Sequence, residues 1–149
     1  MKITDIQAAC GLAQLKRAEE FIHRRKENFQ YLTSKLQHLS DYLILPQATV
    51  DSDPSWFGYP ITLKEAANTS RRDLLQYLDQ RKISTRQLFG GNLTKQPYFQ
   101  EQSYRIVGDL QSTDIIMNRT FWIGVYPGLT CEMLDHVAEH LELYFGVGF

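Results

Sequence analysis

The chain has 149 residues, 43% of them hydrophobic and 12% aromatic, which is the size of one domain with enough apolar side chain to build a core. Its 16 basic residues against 17 acidic ones leave a net charge of −1, so neither nucleic acid nor a membrane surface is expected as a partner. No apolar run approaches the ~20 residues that span a bilayer, the N-terminal residues lack the apolar centre of a signal peptide, and the 2 cysteines, Cys10 and Cys131, stand far apart with no Cys-x-x-Cys or Cys/His spacing. The sequence therefore reads as a cytoplasmic protein with two buried, reduced thiols and no self-contained zinc or iron–sulfur site.

Thr4-Asp5-Ile6-Gln7 has the form of a capping box. Helical spacing then continues through Ala8, Leu12, Leu15, Phe21, Ile22, Phe29, Leu32, Leu36 and Leu39, predicting one long bent helix or two consecutive ones. Ala8, Ala9, Gly11 and Ala13 would let another backbone come close, and Arg24 to Glu27 read as a solvated face. Tyr42–Leu45 predicts a short strand and Gln47–Pro54 a polar loop. Ser55–Leu63 predicts a second strand, with Pro60 placing it at an edge or a bulge. Thr69-Ser70 can cap a helix from Arg71 to Lys82, with Leu74, Leu75 and Leu78 buried. Ile83–Phe89 alternates as a strand, Ser112 can cap a short helix over Thr113–Asn118, and Tyr104–Gly108 fits no single type. Phe121–Tyr126 predicts a strand stopped by Pro127-Gly128, and Thr130 a cap for the last helix. Helices alternate with short strands, so the fold expected is α/β, a small sheet covered by helices with a long N-terminal helix.

The most informative stretch for chemistry is Ile83 to Pro97. Arg86 stands on the predicted strand, Gly90-Gly91 frees the backbone to turn or to approach a ligand closely, and Asn92, Thr94, Lys95 and Gln96 all donate hydrogen bonds. That order suits a polar, anionic ligand; it equally suits an ordinary glycine-rich loop ending a strand. His136 and His140 have i, i+4 metal-ligand spacing but no accompanying zincin pattern, and they read as helix-surface residues. No Gly-x-Ser-x-Gly elbow occurs and no pair of acids presents itself as general acid and base, so a self-sufficient active site is not visible.

Four stretches carry a resemblance. Lys2 to Leu15 resembles the segment that opens the small C-terminal domain of DegT-type sugar aminotransferases and dehydratases, which are fold-type-I vitamin B6 enzymes. Asp53-Pro54-Ser55-Trp56-Phe57-Gly58-Tyr59-Pro60-Ile61, Thr85 to Pro97, and Thr120 to Thr130 are similar to the 3-dehydratase branch of lipopolysaccharide biosynthesis, RfbH-type, whose substrate is CDP-4-keto-6-deoxy-D-glucose on the way to 3,6-dideoxyhexoses. The resemblance covers essentially the whole chain.

It implies a single C-terminal small domain over 1–149, without the larger N-terminal domain that holds most of the cofactor. The cofactor implied is pyridoxal or pyridoxamine phosphate (PLP or PMP), used in the dehydratases with a histidine base where aminotransferases have a lysine. An iron–sulfur cluster, a homodimer, a CDP-sugar substrate and an electron-transfer reductase are implied for the full-length enzyme, and no cofactor for this chain alone. Met1 before Lys-Ile-Thr-Asp reads as a start placed on a fragment unable to catalyse alone. The substrate-binding positions implied are Phe57, facing the cofactor–sugar region, Arg86, and the Gly90-Gly91-Asn92 turn, which would contact the nucleotide-sugar or shape the cleft. Arg suits a diphosphate through its fixed fork of donors; the other reading of Arg86 is a structural ion pair. The Thr4-Asp5 segment would lie near the dimer interface, although capping alone explains Thr4. Two alternatives stand beside this one: the small domain of a PLP-dependent sugar aminotransferase, and a free-standing module that dimerises through the apolar stripe of residues 6 to 39.

Overall fold

The computed structural model describes residues 2–147. The capping box forms: Gln7 N–H donates to Thr4 Oγ1 at 3.3 Å and Thr4 N–H to Gln7 Oε1 at 2.9 Å. It starts α1 (Asp5–Leu15), which is followed by a separate α2 (Ala18–Leu36), so the long helical stretch resolves into two helices. They behave differently. α2 buries Asn28, Leu32 and Leu36, whereas α1 buries nothing, with Ile6 78% and Leu15 69% exposed.

The sheet contains β1 (Leu43–Ile44), β2 (Gly58–Leu63), β3 (Thr85–Gln87) and β4 (Thr120–Gly124) in the order β1-β2-β4-β3, every pair antiparallel. Side chains alternate between faces along a strand. One face presents Tyr59, Ile61, Leu63, Phe121 and Ile123 to a core completed by Leu32 and Leu36 of α2, Leu74 and Leu78 of α3 (Arg71–Gln80), and Ala138 and Leu141 of α5 (Cys131–Phe145). α2, α3 and α5 thus lie on this face, as the α/β expectation required. Burying such Leu, Ile, Phe and Tyr side chains is the main force holding the layer together, at ~1.5–3 kcal/mol each.

Several local expectations need correction. β2 is an interior strand, yet Pro60 costs it little: β1 pairs only with Thr62 and Leu63, so Pro60 lies where β2 has a partner on one side only. β3 is shorter than the alternation over Ile83–Phe89 predicts, because Phe89 already adopts φ 50° and points outward, 82% exposed. α3 stops at Gln80, ahead of a turn in which Lys82 has φ 63°. α4 (Gln111–Arg119) takes its first turn from Asp109, whose carboxylate accepts from Gln111 N–H at 3.0 Å; Ser112 lies inside the helix.

The reading of Arg24 to Lys26 as a solvated face is also overturned. Arg24 donates to Leu129 O at 3.3 Å, Arg25 to Trp56 O at 3.0 Å, and Lys26 pairs with Asp53, so this face clamps two loops onto α2. Cys10 and Cys131 are both exposed rather than buried, since Cys10 rides on the uncovered α1 and Cys131 opens α5 in solvent.

Candidate functional site

The second face of the sheet carries Gly58, Pro60 and Thr62 of β2, Thr120, Trp122 and Gly124 of β4, and Arg86 of β3. Register places Arg86 opposite Trp122 and Trp122 opposite Pro60, a single row across three strands. α4 packs against β2 and β4, and Arg71 fixes the junction between α4 and β4 by donating to Met117 O at 2.5 Å and Thr120 O at 2.9 Å. Toward Gly58 the face stays open: Phe57 is 68% exposed, Trp122 half-buried and Arg86 exposed.

Phe57 precedes β2 and packs on Trp122, with ring centroids 5.0 Å apart and planes tilted by 51°. The Arg25 guanidinium lies 5.9 Å from the Phe57 ring centroid while donating to Phe57 O at 3.4 Å. Arg86 belongs to none of the salt bridges among the described residues, so the structural ion pair is not formed. It faces an open groove of about 680 Å³ between the β3 edge and the start of α5, together with Lys82, Trp122, Tyr126, Met133 and His136.

The Gly90-Gly91-Asn92 turn faces elsewhere. Gly91 has φ +62° and lies against Met117, where a Cβ would come within 2.6 Å of Met117 Cγ. Asn92 is 2% exposed. Its Nδ2 donates to Asp114 Oδ1 at 2.8 Å, and its Oδ1 accepts from Thr94 N–H at 3.1 Å and Thr94 Oγ1–H at 2.7 Å. Lys95 completes the cluster 2.6 Å from Asp114 Oδ2; Lys95 first and Asn92 second hold the Asp114 carboxyl below the usual carboxylate range. Asn92 therefore fastens the loop to α4, and its polar atoms are engaged there. That bracing is neither of the two roles expected for the turn, contacting the nucleotide-sugar or shaping the cleft.

His140 departs from the surface reading. Its Nδ1 is buried without a hydrogen-bond partner, and the ring meets Tyr77 and His136 edge-on. Burial lowers its pKa, with His136 and Arg81 adding to the shift. His136 stays exposed, its Nε2 3.1 Å from Arg81 O. No group of three or more His, Cys, Asp or Glu among the described residues could hold a metal.

These residues do not make a complete cofactor site. Among the described residues, the strands of the open face supply aromatic surface and Arg86, Arg25 lies against Phe57, and Lys82 and Glu132 line the adjoining groove; this is a wall with scattered charges and not an enclosed pocket that would hold a B6 cofactor by itself. Nor do Cys10 and Cys131, on α1 and α5, fit an iron–sulfur cluster, which needs about four thiolates. Of the positions that the resemblance implies, Phe57 and Arg86 lie along this open face; Trp122, Gly58 and Arg25, which pack there, are not among them. The alternation of Phe121–Tyr126 could have placed Trp122 opposite the core; nothing local pointed to Arg25.

Comparison with known proteins agrees with this architecture. The model of the DegT/DnrJ/EryC1/StrS aminotransferase family matches residues 1–142. The chain is 59% identical to lipopolysaccharide biosynthesis protein RfbH of Salmonella typhimurium, over 100% of its own length and 34% of the relative's. It is 46% identical to dTDP-4-dehydro-2,6-dideoxy-D-glucose 3-dehydratase of Saccharopolyspora spinosa, over 95% of this chain and 30% of that protein. The chain thus spans about a third of the length of the curated relatives it matches. Among solved structures, E. coli GDP-4-keto-6-deoxy-D-mannose-3-dehydratase with bound hydrated PLP superposes with a TM-score of 0.79 at 24% identity, covering 88% of this chain and 33% of that one. S. venezuelae DesV in complex with a ketimine intermediate superposes at 0.83 and 19% identity, covering 97% and 37%. Both share the fold. With nearly its whole length matched by the family model, the chain belongs to the DegT/DnrJ/EryC1/StrS aminotransferase family.

Proposed function

We propose that this chain is the C-terminal small domain of a PMP- or PLP-dependent nucleotide-sugar 3-dehydratase acting on CDP-4-keto-6-deoxy-D-glucose in the formation of 3,6-dideoxyhexoses for O-antigen lipopolysaccharide. In this reading residues 1–149 form one unit that closes the substrate cleft and does not catalyse alone. The larger domain with the cofactor, its histidine base and an iron–sulfur cluster lies in the rest of the protein, which works as a cytoplasmic homodimer fed electrons by a reductase. The 59% identity to RfbH and the 46% identity to a 3-dehydratase support the branch.

The observation that carries the reading is the open row of Arg86, Trp122 and Pro60 with Phe57 at its end. A large apolar wall excludes water from a reacting centre, which strengthens every polar interaction made there. Phe57 supplies that wall. Arg86, unpaired within the sheet's edge strand, presents a fixed fork of donors suited to a diphosphate. The bound B6 cofactor would supply the electron sink for eliminating the C3 hydroxyl; this chain's residues bind, orient and exclude water.

The test is the absorbance spectrum of the full-length protein containing this segment, purified with its cofactor, before and after adding CDP-4-keto-6-deoxy-D-glucose. A B6 band that changes with the CDP-sugar, together with a broad iron–sulfur absorption, is the expected result. A spectrum that responds to an amino donor and not to the CDP-keto-sugar would replace the dehydratase by a sugar aminotransferase.

A further inference from the structure

We propose that Trp122 is the residue that positions Phe57 for the substrate, and that Gly58 exists to admit it; this inference rests on the dehydratase reading of the site. Phe57 is 68% exposed and lies outside the regular strand, so nothing in its own backbone pairing fixes its ring. Two residues do. Trp122 packs against the ring at 5.0 Å between centroids. Arg25 holds the backbone through Trp56 O at 3.0 Å and Phe57 O at 3.4 Å, with its guanidinium 5.9 Å from the ring centroid. Trp122 is in turn fixed by its own surroundings.

The indole lies directly on the backbone of Gly58, where a Cβ would come within 2.2 Å of Trp122 Cε3. That is far inside van der Waals contact, so any side chain at position 58 would displace the indole. Gly58 has no positive φ to require glycine; close approach alone explains it. The indole N–H donates to Gln87 O at 3.3 Å, which ties the ring to β3 one residue after Arg86. Trp122 thus spans the open face and sets the spacing between the aromatic wall and the arginine. A half-buried indole with one polar contact and one flat backbone bed has few alternative rotamers, and it transfers that rigidity to Phe57.

The experiment uses the full-length holoenzyme with Trp122→Leu, Trp122→Phe, Phe57→Ala and the Phe57→Ala/Trp122→Leu pair. Trp122→Leu is expected to lower kcat/KM for the CDP-sugar about tenfold, Phe57→Ala by a similar factor, and the pair by no more than either alone, because both act on one element. Trp122→Phe, which keeps a ring over Gly58, is expected to recover most of the loss. Losses that multiply in the pair overturn the proposal.

A second readout is independent of activity. With 4-fluorophenylalanine at position 57, the ¹⁹F resonance should be displaced by the indole ring current and move to the free-chain position in Trp122→Leu. An unmoved resonance overturns the positioning role. A resonance that moves while kinetics with the CDP-sugar stay unchanged upholds the positioning and defeats the substrate reading.

Discussion

Asn28 Nδ2 donates to the carbonyl of Tyr126 at 2.9 Å, joining the middle of α2 to the chain just beyond β4. Asn28 is only 4% exposed, one of the few buried polar side chains among the described residues. The bond caps the point where the chain leaves the sheet for the Pro127-Gly128 turn, so it holds the end of the open face in register with the helical layer.

Asn28→Ala should therefore destabilise the fold by ~1–3 kcal/mol, the cost of a lost buried hydrogen bond and an unpaired carbonyl. Chemical denaturation of the full-length protein checks this. The expected pattern is a lower midpoint with unchanged slope; a midpoint shift within error would mean that water replaces the amide.

Gly91→Ala should be worse than its one added methyl suggests. The position has φ +62°, and the new Cβ would meet Met117 Cγ at 2.6 Å. Backbone strain and overlap together should cost more than ~1 kcal/mol. Limited proteolysis should show faster cleavage between residues 88 and 100 in this variant. Equal cleavage rates would show that the loop accepts the side chain.

Two pH windows should be separable. His140 has its pKa lowered from 6.5 by burial first, then by His136 and Arg81. The unfolded chain then binds more protons below that value, so stability falls as pH drops from about 6.5 through the lower folded value. Asp135 has its pKa depressed by Lys35 and then Tyr31, and Asp114 by Lys95 and then Asn92. Their contribution is full above about pH 4 and is lost on further acidification through the folded values. His140→Phe should flatten the melting temperature over the upper window and leave the lower one intact. A wild-type profile already flat between pH 7 and 5 would contradict the burial argument.

Much of the fold was legible because the signals were local. Thr4, Ser70 and Thr130 each accept from the backbone N–H three residues on, as hydroxyl N-caps do. Of the stripe expected for α3, Leu74 and Leu78 are fully buried and Leu75 is partly buried. What was illegible depended on partners distant in sequence. Apolar residues recur at helical spacing in both α1 and α2, and packing shows which of the two meets the sheet. Arg24 and Arg25 look like solvated charge until the backbone carbonyls of residues 129 and 56 are brought to them. At the site, Arg86 could be placed on a strand from alternation alone. Asn92 could not be recognised as an internal brace, because Asp114 is 22 residues further along the chain.

In the reading proposed above, the open sheet face with Arg86 and Phe57 meets the nucleotide-sugar. The most direct measurement is steady-state kinetics of Arg86→Ala in the full-length holoenzyme with CDP-4-keto-6-deoxy-D-glucose. The expected result is a KM raised about tenfold or more with kcat nearly preserved, because a diphosphate contact is made equally in the ground and transition states. A KM and kcat both equal to those of the parent enzyme would contradict it and turn this face toward another role.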